Sequence, residues 1–249
     1  MEPFTGNLRD AWRAHADDWA VWAATPDHDI FFWRYNLPAF LRIVPEPTSR
    51  PTLDVGCGEG RLARVLSDLG HAVVGLDAAP ALVRQAATSR PAVPAAVADA
   101  ADLPVPSGAV DLAVSSMVLM DVDDLDAVLG ELARVLVPGG RLCFSILHPL
   151  ATCGDFVDAD DNESAFLVSL PYPQSRRYQE TMDRDGLSMT FHSEHRSIET
   201  YVDALARAGF VVELLREPVP DADVIADVPR LRRQQRIPCW LHVRARRDS

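Results

Sequence analysis

The chain has 249 residues, 48% hydrophobic and 24% charged, with a formal net charge of −12. That is ordinary globular composition for one domain, or one domain with an insertion, and no apolar run approaches the roughly 18 residues a membrane span needs. The acidic balance argues against a nucleic-acid partner held through its phosphates, and since all 24 basic residues are arginine, lysine chemistry is excluded.

The N-terminal "MEPFTGNLRDAW" is polar and acidic, unlike a secretory leader, so a cytoplasmic protein is expected. Four cysteines without a CxxC pair fit buried thiols better than a disulfide or zinc framework. Residues 8–45 read as helices. Trp12, His15, Trp19 and Trp22 share one face, "TPDHD" (25–29) breaks the helix, and a second break is expected near Pro38. Short apolar runs then alternate with helical patterns. "TLDV", "HAVVGLD", "AAVAD", "VDLAVSS" and "GGRLCFSIL" read as strands. "GRLARVLSDLG", "PALVRQAAT" and "DDLDAVLGELARVL" read as helices, with Gly70 closing the first and Pro80 opening the second. This alternation predicts βαβ units and a parallel sheet covered on both faces. From about 148 to 196 the rhythm is lost. "FVDADDNES" is acidic and turn-rich, and "PYPQSRRYQ" is rich in aromatics and proline. A helix "SIETYVDALARAGF", capped by Ser197 and Gly209, a strand "FVVELLRE" and a last strand "CWLHVRAR" follow. The alternation Leu241, Val243, Ala245 against His242, Arg244, Arg246 suggests an antiparallel edge strand with one wetter face.

Chemistry concentrates where strands end. Asp54-x-Gly56-x-Gly58-x-Gly60 lies between a strand and a helix, where open α/β sheets bind ligands. A dinucleotide fingerprint wants a glycine at 61, which is Arg61, and a Walker loop needs a lysine. What fits is a compact ligand carrying a cationic amino group against Asp54. Asp77 ends the second strand, where such folds hold ribose hydroxyls, and Asp99 ends the third, placed to accept from an adenine amino group. Three acidic strand ends outline a nucleoside carrying an amino acid.

"LDVGCGEGRLARVL", "VVGLDAAPALV", "VADAADLPVPSGAVDLAVSSMVLMDV" and "ARVLVPGGRLCFSILHP" resemble the successive motifs of class I S-adenosylmethionine-dependent methyltransferases, within them the type 11-like small-molecule group. The resemblance covers about 50–150; "HRSIETYVDALARAGF" and "IPCWLHVRARR" resemble the family's tail less specifically. It implies a Rossmann-like α/β fold: a seven-stranded, mostly parallel sheet with an antiparallel last strand. It also implies an N-terminal helical lid (1–48), a cofactor domain (49–249) and an acceptor-pocket insertion (about 150–195). S-adenosylmethionine would be the cofactor and S-adenosylhomocysteine the product. Asp54, Gly56, Cys57 and Gly58 would line the methionine side. Asp77 with Ala78 would hold the ribose, Asp99 with Ala100 the adenine, and Ser115 and Met117 would lie near the sulfonium. Many relatives carry a histidine where this chain has Asp121, so no role transfers there.

The implied reaction is transfer to an oxygen or nitrogen, less readily a carbon, of a small-molecule acceptor by in-line displacement, which asks mainly for positioning. His148, at the end of a strand, and His195 are the base candidates, each weighed against a purely structural role. Trp19, Trp22, Tyr172, His192 and Arg196 are the candidate acceptor contacts. His192 and His195 lack a third ligand, so no metal is expected. The all-arginine, Ala- and Pro-rich composition fits a high-GC genome and an actinobacterial biosynthetic pathway. Methylation of a peptide carboxylate or tRNA, and a cofactor-binding member without transfer, stay open, as does a homodimer.

Overall fold

The short apolar runs form the strands, and a computed structural model assembles most of them into one seven-stranded sheet. It describes residues 1–24, 29–158, 160–184 and 186–248. In chain order the elements are β1 (Glu2–Pro3), α1 (Leu8–Ala14), α2 (Ala16–Ala24), a π-helical turn (Phe32–Asn36), α3 (Leu37–Leu41), β2 (Thr52–Val55), α4 (Arg61–Asp68), β3 (Val73–Asp77), α5 (Pro80–Thr88), β4 (Ala95–Val97) and β5 (Val110–Ser116). Then come α6 (Leu125–Val135), β6 (Leu136–Leu147), β7 (Gly154–Phe156), β8 (Phe166–Val168), β9 (Arg176–Arg184), β10 (Leu187–His195), α7 (Ile198–Arg207), β11 (Phe210–Arg216), α8 (Ala222–Asp227), a 3-10 turn (Pro229–Gln235) and β12 (Trp240–Arg247). The break expected at 25–29 lies, apart from Asp29, outside the described residues.

The main sheet has the order β11-β12-β6-β5-β2-β3-β4. β2 pairs in parallel with both β3 and β5, so the chain winds outward on one side of β2 and then crosses to the other. The crevice between the carboxyl ends of β2 and β5 is therefore the switch point, where neighbouring loops diverge and leave room for a ligand. Apolar side chains leave the sheet on both faces. Leu53, Val55, Ala113, Leu142 and Phe144 pack under α6 and α7, while Leu112, Val114 and Cys143 pack against α4 and α5.

Two readings are corrected here. β12 is not an edge strand: it lies between β6 and β11, and β11 is the edge. The alternate polar residues of β12 are not a wet face. His242 is fully buried and its Nε2 lies 2.7 Å from Asn36 Oδ1, while Arg244 and Arg246 pair with Glu213 of β11. The N-terminal segment is also not all lid. Phe32, Leu37, Phe40 and Ile43 are core, packed with Leu62 and Leu66 of α4. α1 and α2, with Asp29 and Phe31 after them, line the cavity instead. The segment without rhythm holds a hairpin of two nine-residue strands, β9 and β10, to which β1 adds a third antiparallel strand. Among the described residues, no helix is long and apolar enough to cross a membrane.

Candidate active site

At the switch point, Asp54 is the penultimate residue of β2, and after Val55 the chain turns through Gly56 (φ +77°) and Gly58 (φ +55°). Side chains resist this left-handed conformation, and a Cβ at Gly56 would collide with the Val118 side chain. A Cβ at Gly58 would touch the Trp19 indole at 3.4 Å, so α2 lies directly over the loop. Asp77 fixes the loop from β3. Its Oδ2 accepts from the Gly58 N–H and its Oδ1 from the Ala79 N–H, both at 2.8 Å. Asp99 accepts from the Ala101 N–H and pairs with Arg9 of α1. Met117, one residue past β5, is the non-glycine residue at positive φ (62°), and its N–H donates to Ser145 at 2.7 Å. Backbone strain of this kind gathers at functional sites.

A single cavity of about 700 Å³ runs from this loop into the space beneath the hairpin, well within the range of ligand sites. Asp54, Gly56, Cys57, Gly58, Asp77, Ala78, Asp99, Ala100 and Met117 all line it, as do Trp19 and Trp22. The tryptophan stripe of α1 and α2 packs around Phe191 of β10, with Trp12, Trp19 and Trp22 rings at 6.3, 6.2 and 6.1 Å. Packing and covering are thus one contact. Arg13 adds a hydrogen bond to the Ala78 carbonyl (2.9 Å), and Asp123 accepts from the Leu8 N–H (3.0 Å).

Other expected residues lie elsewhere. Ser115 is fully buried and donates to the Val55 carbonyl, holding β5 to β2; its neighbour Ser116 lines the cavity instead. Neither base candidate lines it. His148 is buried, with Nε2 2.8 Å from Glu217 and Nδ1 accepting from the Leu150 N–H. His195 is buried between Thr152 Oγ1 (2.6 Å) and the Tyr172 carbonyl (2.8 Å), and burial lowers its pKa. Both rings are occupied as structural cross-links. Tyr172 accepts from the Ile198 N–H at the start of α7. His192 stacks on His15 (5.2 Å), and its carbonyl accepts from the Trp12 indole N–H (3.0 Å). Arg196 is buried and donates to the Leu119 and Val122 carbonyls, fixing the loop after β5. These three shape the cavity from behind without lining it.

The hairpin supplies Tyr178, which the sequence offered with Tyr172 as a residue that could line a pocket or simply pack, and four residues that were not expected. Tyr178, Glu180 and Met182 of β9 and Phe191 and Ser193 of β10 line the cavity. The register pairs Ser193 with Tyr178 and Phe191 with Glu180, so one face of the ribbon looks inward. The signal was present: "RRYQETMDR" and "LSMTFHSEH" flank an Asp-Gly pair at 185–186, a strong hairpin turn. Asp121, in the loop Arg196 holds, is buried and accepts from the Ser193 hydroxyl at 2.6 Å. Burial raises its pKa well above the usual carboxylate range, against the opposing Ser193 bond and Arg196 charge.

Asp54 tests whether a cationic ligand fits. It is 1% exposed, and its Oδ2 is buried without a hydrogen-bond partner. Burial first, then the Asp77 and Glu59 carboxylates, push its pKa up to about 8. A cation beside it would satisfy the oxygen and restore the charge. A cationic amino acid joined to a nucleoside suits this cleft, and that is how a class I S-adenosylmethionine-dependent methyltransferase holds its cofactor.

Residues 53–144 match the family model described as a methyltransferase domain. The chain is 28% identical over 183 residues to a probable S-adenosylmethionine-dependent methyltransferase of Mycolicibacterium smegmatis, covering 74% of this chain and 60% of the relative. It is 36% identical over 126 residues to a malonyl-[acyl-carrier protein] O-methyltransferase of Serratia marcescens, covering 50% and 49%. The matches thus span about half to three-fifths of these curated relatives. The crystal structure of an S-adenosylmethionine-dependent methyltransferase from Mesorhizobium loti superposes with a TM-score of 0.69 at 27% identity, over 84% of this chain and 96% of that one. In its family-model match, its curated relatives and its solved neighbour alike, the chain is similar to class I S-adenosylmethionine-dependent methyltransferases, and S-adenosylmethionine is the cofactor this similarity supports.

Proposed function

We propose that this protein transfers a methyl group from S-adenosylmethionine to a nitrogen or oxygen of a small molecule, in a biosynthetic pathway of a high-GC bacterium. The observation that carries the reading is the single cavity, which joins the glycine loop and acidic strand ends to a closed, aromatic-walled space. Bound there, the cofactor supplies an electrophilic methyl group on a sulfonium. Asp54 and the Gly56–Gly58 backbone would hold its amino-acid end, Asp77 its ribose and Asp99 its adenine. The protein's own contribution is chiefly to orient the acceptor and exclude water, which can supply much of the rate. α1 and α2 close the space through the Phe191 contacts. Where the acceptor carries a proton, Asp121 is the buried lining carboxyl placed to receive it, with the Ser193 hydroxyl donating to its Oδ1 and burial raising its pKa.

Calorimetric titration with S-adenosylhomocysteine, for the wild type and Asp77→Ala, tests the cofactor half. We expect saturable 1:1 binding that weakens at least 100-fold in a variant that remains folded. A well-folded wild type that binds neither cofactor nor product sinks the reading. Mass analysis of acceptors after incubation with S-adenosylmethionine tests transfer, and a binding protein that methylates nothing would support the cofactor-binding alternative.

A further inference from the structure

The acceptor half of the cavity carries charge of one sign. Asp121 at its floor and Glu180 on its hairpin wall are both acidic. Glu180 forms no ion pair among the described residues, and its charge, after burial, helps push the Cys239 thiol up to about 12. Cys239 lies on the cavity wall beside Trp240, so the field of Glu180 reaches across the space. The arginine side chains that line the whole cavity are Arg9, Arg13 and Arg61, and each is committed. Arg9 pairs with Asp99. Arg61 binds Asp29 at 2.6 Å and lies over the Phe32 ring at 3.5 Å and the Trp19 ring at 4.8 Å. Arg13 is bonded to the Ala78 carbonyl. Aromatic rings form much of the wall on this side, among them Trp22, Phe31, Phe156, Phe166, Phe191 and Trp240, beside aliphatic residues such as Met120 and Ile237 and the further acidic residue Asp155.

A carboxylate entering this space would meet the Glu180 carboxylate beside the buried Asp121 carboxyl and find each arginine already engaged. Desolvating an anion there without a partner is costly. A cation meets the opposite conditions. Ring faces attract it, and Asp121 and Glu180 are acceptors for its N–H groups.

We infer that the acceptor is an amine on an apolar, aromatic-sized body, recognised by Asp121 and Glu180 within the aromatic walls, and that carboxylate acceptors are rejected. This rests on the transferase reading above and names its substrate class. It also separates this chain from those relatives whose names specify malonyl-[acyl-carrier protein].

Three probes of one shape and different charge test it: tryptamine, tryptophol and indole-3-propionate. Each is titrated calorimetrically into the protein saturated with S-adenosylhomocysteine. We expect tryptamine to bind at least tenfold more tightly than tryptophol, and indole-3-propionate most weakly. Asp121→Asn and Glu180→Gln should each reduce the amine preference several-fold, and the double variant should erase it. Glu180 is exposed, so Glu180→Gln gives a folded readout even where the buried substitution unfolds the protein. The inference is overturned if indole-3-propionate binds as well as tryptamine, if tryptamine fails to saturate, or if the amine preference survives Glu180→Gln unchanged. S-adenosylhomocysteine binding, measured separately in each variant, distinguishes this from failure of the transferase reading, which the absence of that binding would signal.

Discussion

Asp54→Asn should make the protein more stable and useless. Burial, then Asp77 and Glu59, raise the Asp54 pKa from 3.8 to about 8. Between those values the native chain keeps a proton that the unfolded chain has released. Stability contributed by this site is therefore intact near pH 4 and falls as pH rises toward 8. At pH 7 the difference amounts to about three pKa units, at most about 4 kcal/mol. An amide cannot ionise, so the variant escapes that penalty. We expect it to gain about 1–4 kcal/mol over the wild type at pH 8 and little near pH 4.5. Urea unfolding of both proteins across pH 4.5 to 8.5, without ligand, isolates the site, because all other groups titrate alike. Binding of S-adenosylhomocysteine, followed by calorimetry, should fall at least 100-fold in the variant. Parallel stability curves for the two proteins, or undiminished binding by the variant, would refute the reasoning.

His242 works in the other direction. Burial lowers its pKa from 6.5 to about 4, so its contribution is whole above pH 6.5 and lost as pH falls toward 4, up to about 3 kcal/mol. His242→Gln should lack that acid-side loss, and equal urea midpoint shifts in both proteins between pH 7.5 and 4.5 would count against it. His195→Gln removes a buried cross-link between Thr152 and Tyr172. It should cost about 1–3 kcal/mol in thermal or urea unfolding while turnover per folded molecule stays within a few-fold; a folded variant with turnover down 100-fold would restore His195 as a catalytic group. Gly56→Ala combines left-handed backbone strain of about 1–2 kcal/mol with a clash against Val118. Adding Val118→Ala should recover stability only in part, and full recovery of both stability and cofactor affinity would show that φ at this position is not the constraint.

Much of the sheet was legible because its strands bury both faces and so read as short apolar runs between helical patterns. The cofactor half was legible for a related reason. Glycines and acidic residues are forced onto strand ends by backbone geometry, a local property that sequence carries. Ser115 misled because the last two residues of β5, Ser115 and Ser116, point to opposite faces of the sheet and differ only by one step of the strand. His148 and His195 misled for another reason. A histidine near a strand end has the right chemistry for a base, yet its partners are remote in sequence. Glu217 lies 69 residues from His148, and Thr152 lies 43 from His195.

The sequence by itself determined the α/β class, the switch-point loop and the three carboxylates at strand ends that line the cavity, since each follows from residues adjacent along one strand or turn. Only the tertiary structure decided which other groups line the cavity. Asp121 meets Ser193 across 72 residues, and the inward face of β9–β10 is chosen by how the hairpin docks on the loop after β5. A period-2 strand offers either face to the core. Long-range packing selects between them, and here it placed Tyr178, Glu180 and Ser193 inside.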